Sequence, residues 1–535
     1  MRKKITIILT VSALLALAAG PAGAVNKLEG YYEMQASLQK TDQHWKFGPP
    51  GGEGMPRHYL EMKYLSWPYT NLESFFKLRA ESNRDDNLTP ESEFKNPAYI
   101  GAEGHLKLNG DTWESYIFYR QNRFWIHDDL ILNLVDQNKL KNDSWGPQSS
   151  GVRLDFWDKD LWKVHGLGGT IIYSDDGGTY NWTDDIDNEI PDGTDNFILR
   201  LRKNSFNDRF RVGTMFLRKD WTNTSVSRDY LEDSFNEILS WDVSIYPRNL
   251  MRNGTRLGPI NIDNSSWILQ YAVSRDPFQV ETSDVRSNRN RYAFSAEARN
   301  IRIADLTVHA WYNDFGENFR DYMSYRFDEG REFNRRQYHI EGFYLFPKKA
   351  ITGTVSYDYY ERKSVEKGNE TGNLRPTYNF YSELYIEFIK GFKGKIGYNR
   401  WHGFDESAEI FDFFTYPNIF AELSVENKLA KVRMQMRIRD FDTFREVYAY
   451  GFDMEFNATG KLKGYFRLLN VNEKTEARAT VFAQIRYDIG YGAECFLEYG
   501  APWDSDHLVN TDGFVNEGSG TTLNNMTKLF LKLYF

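Results

Sequence analysis

Between Lys431 and Asp440 the chain alternates without a break. Val432, Met434, Met436 and Ile438 fall on one side, and Lys431, Arg433, Gln435, Arg437 and Arg439 on the other. Successive side chains of an extended strand point to opposite faces, whereas a helix would mix the two sets. The same two-faced pattern sets Phe380, Leu384, Ile386 and Phe388 against Tyr381, Glu383, Tyr385 and Glu387, and Ile351, Val355, Tyr357 and Tyr359 against Thr352, Thr354, Ser356 and Asp358. It recurs along nearly the whole chain and constrains the fold to an all-β architecture in which every strand must serve two different environments. An aromatic content of 16% with only 16 Pro points the same way.

The links between these strands alternate in length. Asn109–Thr112, Asn204–Asp208, Pro347–Lys349, Lys390–Gly391, Asn427–Leu429, Asn457–Lys461 and Ile489–Tyr491 are short. The intervening polar stretches, among them Lys40–Arg57, Asn122–Ser150, Asp175–Asp195, Asn313–Arg335 and Ala501–Asn525, are long. The stretch from Tyr246 to Asn264 breaks the rhythm, being long where a short turn is due, and a missed hairpin would explain it. The chain ends on one more amphipathic strand, with Leu529, Leu531, Leu533 and the terminal Phe535 on one face and Lys528 and Lys532 on the other.

These features resemble a bacterial outer-membrane β-barrel, porin-like or polysaccharide-export-like. The resemblance implies a large transmembrane antiparallel up-and-down barrel with short periplasmic turns, long extracellular loops and an outer surface in contact with membrane lipid. Phase counting from Phe535 yields about 24 strands, in a range of roughly 22–26, even as such barrels require. In that family a C-terminal aromatic is the signal read by the barrel assembly machinery, so the resemblance also implies that role for Phe535. A soluble sandwich or propeller is the competing fold, but rows of Arg and Glu on one face and the absence of a blade-sized repeat speak against it.

The N-terminus supplies an address. Arg2, Lys3 and Lys4 precede an apolar run from Ile5 to Ala19, and Ala22-Gly23-Ala24 has the form of a signal-peptidase site. The run is shorter than the roughly 20 residues that cross a bilayer as a helix. Residues 1–24 are therefore read as a cleaved signal peptide and 25–535 as one barrel domain in the cell outer membrane. Strand patterning from Tyr31 onward leaves no room for a separate N-terminal plug, so any plug must come from a loop. Removing the three leader cations leaves 63 basic against 75 acidic residues, a formal charge of −12, which excludes nucleic-acid binding by bulk charge. A mean hydropathy of −0.62 is compatible with a barrel, since only alternate residues meet lipid.

The polar faces carry the functional evidence. Arg200, Arg202, Arg209 and Arg211 crowd one hairpin. Glu383 and Glu387 precede Lys393 and Lys395 across a turn, and Arg433, Arg437 and Arg439 precede Asp453 and Glu455. As lumen-lining groups they would set up a transverse field for polar solutes; the blander reading is ion pairs that brace the wall. Trp67, Trp113, Trp311 and Trp401 are read as girdle residues at the lipid headgroups, with a sugar-stacking role open for Trp311 and Trp401. In the acidic loop, Asp175, Asp176, Asp184, Asp185 and Asp187 offer hard oxygen ligands suited to calcium, although their order matches no EF-hand and a solvated surface loop is the commoner origin of such a cluster. Phe124-Trp125-Ile126 and Leu130–Val135 are too apolar for a free loop and are expected to fold inward or pack on a rim.

No catalytic constellation emerges. Asp305 and His309 share a strand face without a placed nucleophile, the lone Cys495 has no pairing partner, and no haem motif occurs. The reading is a non-enzymatic channel passing polar small molecules or a polysaccharide across the outer membrane, a state with which homo-oligomerisation is compatible. The alternatives are a plugged barrel acting as scaffold or surface receptor, and a sheath for a partner protein.

Overall fold

The computed structural model describes residues 25–41, 44–48, 57–82, 98–126, 128, 130–135, 149–157, 166–176, 193–206, 208–222, 234–247, 256–275, 290–324, 334–346, 350–363, 377–404, 413–441, 446–472, 477–500 and 526–535. The leader expected at residues 1–24 lies outside them. The described chain forms one closed, antiparallel, up-and-down barrel of 24 strands. Each strand pairs with its sequence neighbours, and Val25–Thr41 closes the ring by pairing with both Arg57–Tyr69 and Met526–Tyr534. Full closure leaves no row of unpaired backbone groups at an edge.

The seam is made at the last residue. Gly30 N donates to Phe535 O at 2.8 Å and Phe535 N to Gly30 O at 3.0 Å. A side chain at residue 30 would meet the Phe535 ring at 2.9 Å and the Glu61 carbonyl at 2.3 Å, so glycine is needed where the terminal aromatic lies against the first strand.

Three short extended segments add to the wall without joining its count. His44–Gly48 folds back on the far end of the first strand. Arg256–Leu257 and Ile260–Asn261 make a small hairpin that turns at Gly258 (φ +63°) and docks Ile260 and Asn261 on Ile303 and Arg302. This hairpin accounts for the long link between Tyr246 and Asn264: it is a local ornament at one rim, not a missed pair of spanning strands.

Burial separates the two faces. Ile117, Val152, Leu239, Leu269, Ile340, Ile396, Met434 and Ile485 are exposed, while Arg153, Ser240, Gln270, Gln337 and Gln435, their neighbours on the other face, are buried. Only the inner face of a closed barrel has other protein to cover it, so the polar set is interior and the apolar set is the outer surface. Along the arc of that surface from Ser234–Ile245 to Phe392–Phe404 runs a row of rings. Trp241 and Tyr271, then Tyr271 and Tyr292, lie 6.3 Å apart, Tyr338 and Tyr359 stack at 4.4 Å, and Tyr378 reaches Tyr357 at 6.3 Å and His402 at 4.8 Å. These rings are mainly tyrosines; of the tryptophans singled out in the sequence, Trp113 is exposed. Trp311 is turned to the interior, where its ring stacks on His339 at 5.4 Å.

Candidate functional site

The interior face is not polar throughout. On Leu167–Asp176, Gly193–Ser205, Phe210–Thr222, Ser234–Ile245 and Ser266–Arg275 it carries Ile172, Ile198, Met215, Leu217, Ile238 and Ala272, all essentially without exposure. A barrel of this strand number encloses a lumen wide enough for water or a plug, so side chains buried on its inner wall must be covered from within. Two chain segments do this.

The first follows Trp113–Tyr119. Gln121 N still pairs with Ser149 O at 3.0 Å, after which the described residues 122–126, 128 and 130–135 lie off the wall, inside the ring. Phe124, Leu132 and Leu134 seat themselves in the apolar patch, with Ile126, Leu130 and Val135 beside them. The polar backbone of the segment is satisfied by the wall. Arg153 Nη1 donates to the carbonyls of Arg123 and Trp125, each at 2.7 Å, while its guanidinium stands 4.5 Å from the Trp125 ring. Farther along, Gln270 Oε1 accepts from Ile131 N and Leu132 N. The second segment, 316–324, leaves Leu306–Phe315 in the same way and buries Phe319, Asp321 and Met323. Asn236 Nδ2 donates to its Arg320 carbonyl at 3.3 Å, and Arg320 N donates to Ser274 Oγ at 3.2 Å. Its departure point is Gly316, where a Cβ would fall 1.9 Å from the Asn290 carbonyl.

Asp128 is the charged anchor of the first segment. Arg200 Nε donates to its Oδ2 at 2.7 Å, Arg202 Nη1 donates to its Oδ1, and Arg211 Nη1 stands 3.8 Å from Oδ1. Arg200 is held in turn by Asp242, which accepts from both Nη atoms, Nη2 at 2.9 Å. Burial works against the charge of Asp128, but the positive charge and hydrogen bonds of Arg200, and then of Arg202, outweigh it and hold the carboxyl below the ordinary aspartate value. Each charge here has a partner, the condition under which ions persist in a buried place.

The structure thus brings Arg200, Arg202 and Arg211 together on the inner wall, as their sequence crowding suggests, around a residue the sequence did not single out. Arg209 departs from them: it sits in the turn before Phe210–Thr222 and offers its carbonyl to Tyr246 N at 2.7 Å. Elsewhere several interior charges are paired across neighbouring strands. Arg433 Nε is 2.7 Å from Asp453, and Lys395 is 3.6 Å from Glu383. Lys393 reaches Glu426 at 3.9 Å rather than Glu387, whose Oε1 instead accepts from Gly391 N in the turn. Glu455 is exposed, and Arg437 and Arg439 share the inner face of Ala430–Arg439 with Arg433. His309 meets Glu297 at 2.6 Å, not Asp305, which lies in a turn. Asp175 and Asp176 end their strand, while Asp184, Asp185 and Asp187 lie outside the described residues. Among the described residues no group of three or more His, Cys, Asp or Glu is placed to hold a metal ion.

A sequence signal for the inserted segments does exist. Ile171-Ile172, Ile198-Leu199, Phe216-Leu217 and Ile238-Leu239 are apolar on both faces. A strand with lipid outside and water inside would not be, so two-sided apolarity marks the docking wall.

No protein-family model matches the chain, and no curated protein sequence matches it. Among solved structures it is similar to the siderophore receptor PirA from Pseudomonas aeruginosa, with 7% identity over 96% of this chain and 81% of that one and a TM-score of 0.44. It is also similar to the translocation pore of the P pilus usher PapC, with 8% identity over 95% and 99% and a TM-score of 0.42. A third is OccAB2 from Acinetobacter baumannii, with 9% identity over 95% and 98% and a TM-score of 0.35.

Proposed function

We propose that this chain is a bacterial outer-membrane channel for polar solutes whose lumen is narrowed by the inserted segment 121–135. The observation that carries the reading is the division of the wall: an exposed apolar outer surface with a row of aromatic rings, and an inner face lined by paired charges such as Arg433 with Asp453 and Lys395 with Glu383. An outer surface of this kind is stable only against hydrocarbon, and the row of rings suits the headgroup boundary. The inner charges, held in fixed register, offer polar solutes hydrogen bonds along the passage in place of water. Export by a cleaved leader at residues 1–24 and recognition of Phe535 by the assembly machinery belong to the same reading.

A second reading, a plugged barrel serving as receptor or scaffold, draws on the burial of Phe124, Leu132, Leu134, Phe319 and Met323 inside the ring. Single-channel recording in planar bilayers separates the two. The full chain should pass a small ion current, and replacing residues 122–148 by a short Gly-Ser link should raise it several-fold. Silence in the full chain with current only after the replacement favours the plugged reading. Silence in both, from protein shown to be folded, overturns the channel.

A further inference from the structure

We propose that Arg200, Arg202 and Arg211 form a binding site for the carboxylate of an anionic solute, and that Asp128 is a built-in competitor occupying that site at rest. The proposal rests on the channel reading above and names its solute class.

The three guanidinium groups belong to the wall, on Gly193–Ser205 and Phe210–Thr222, and the wall carboxylate paired with one of them, Arg200, is Asp242. Without the inserted segment the cluster holds three cations against one anion. Asp128 repairs the imbalance with one oxygen on Arg200 and the other on Arg202, with Arg211 close to the second. Asp128 thus receives a charge-assisted hydrogen bond at each oxygen, a contact roughly twice as strong as one between neutral groups. The Asp128 head group is chemically equivalent to the terminal carboxylate of a small organic acid, so what fits one fits the other.

The receptor half is organised independently of Asp128. Asp242 holds Arg200 through both Nη atoms, and the guanidinium lies across Gly213, where a Cβ would stand 2.2 Å from Nη2. Arg211 is steadied by Asn204, whose Oδ1 accepts from its Nε at 3.1 Å. Arg202 and Arg211 keep 26% and 20% of their side-chain surface accessible, which leaves an approach from the lumen, whereas Arg200 and Asp242 are sealed. Because Asp128 is tethered, an incoming carboxylate competes with an effective concentration on the order of millimolar. Solute binding and withdrawal of the segment are then one exchange: the solute replaces Asp128 on the arginines and frees the segment from its charged anchor.

Succinate is the probe, titrated calorimetrically into the full folded protein in detergent. Asp128→Asn should bind succinate at least tenfold more tightly than the parent, and adding Arg202→Gln should abolish that gain. Heat-modifiable gel migration checks that each variant is folded. Replacement of residues 122–148 by the Gly-Ser link removes the competitor without touching the wall and should also tighten binding at least tenfold. Equal binding by the parent and both competitor-free forms overturns the proposal, as does tight binding that survives Arg202→Gln. A protein that conducts but binds no succinate overturns the site and leaves the channel standing. One that binds as described but never conducts supports the site and overturns the channel.

Discussion

The side chain of Gln270 accepts hydrogen bonds from two successive backbone groups, Ile131 N at 3.0 Å and Leu132 N at 2.9 Å, from a segment almost 140 residues earlier in the chain. One wall side chain thereby satisfies the donors that the inserted segment, having neither helix nor ladder, cannot satisfy itself. Gln270→Leu leaves both in a buried place, at a cost of about 1–3 kcal/mol each. Amide exchange at Ile131 and Leu132 should accelerate at least tenfold while exchange in the strand Ser266–Arg275 stays slow. Unchanged exchange at the two amides would show that they are not anchored by Gln270.

The Asp128 anchor sets an acid limit. Its carboxyl is held below the ordinary aspartate value by Arg200 and Arg202, so its contribution is fully present above the unfolded value of about 3.9 and is lost as pH falls through the lower folded value. Protease resistance of the segment should be flat from neutral pH down to about 5 and fall only below about 4. Asp128→Asn should lack that transition. A parent protein whose segment loosens between pH 7 and 5 would contradict the assignment.

Asp453 is buried and its carboxylate is met by Arg433. Arg433→Ala strands that charge and should destabilise the barrel by about 3 kcal/mol, less whatever water entering the lumen restores. The double change Arg433→Met with Asp453→Leu removes both charges and should recover most of the loss. Urea unfolding from phospholipid vesicles measures both.

Met434, adjacent to Arg433, lies on the outer surface and is 54% exposed. Met434→Arg would place a cation in hydrocarbon, at a cost of about 2–4 kcal/mol near mid-membrane. The fraction of chain reaching the heat-modifiable folded form should drop sharply. Normal assembly would mean that this face does not meet lipid.

Gly397 lies under the ring of Phe420 on the facing strand, and a Cβ there would stand 2.0 Å from its Cζ. The ring is fully buried and also stacks on Tyr381 at 6.0 Å, an arrangement in which an aromatic covers a bare stretch of strand. Gly397→Val should cost about 1–3 kcal/mol by overpacking, and Phe420→Leu made in the same chain should relieve part of it, both read by urea unfolding.

The residues that were legible in the sequence are those whose role depends on near neighbours. Val432, Met434 and Met436 declare an outer face because alternation is a local property of the strand. The inward folding expected of Phe124-Trp125-Ile126 and Leu130–Val135 was legible for a similar reason, since so apolar a loop has no stable place in water. The partners of these elements were not. Lys393 and Glu387 stand opposite each other across their hairpin yet turn to other groups, Lys393 to Glu426 and Glu387 to the Gly391 amide. His309 likewise pairs with Glu297, on the adjacent strand, rather than with Asp305.

By itself the sequence determined a two-faced β chain, with roughly its strand number and the last strand on which the ring closes, because each follows from side-chain periodicity and turn chemistry within a few residues. Only the tertiary structure decided what occupies the lumen. The meeting of Asp128 with Arg200 joins residues 72 positions apart, and that of Leu132 with Gln270 joins residues 138 apart. Such pairings depend on the curvature of the closed ring, which carries distant strands to one inner wall and leaves no trace in local pattern.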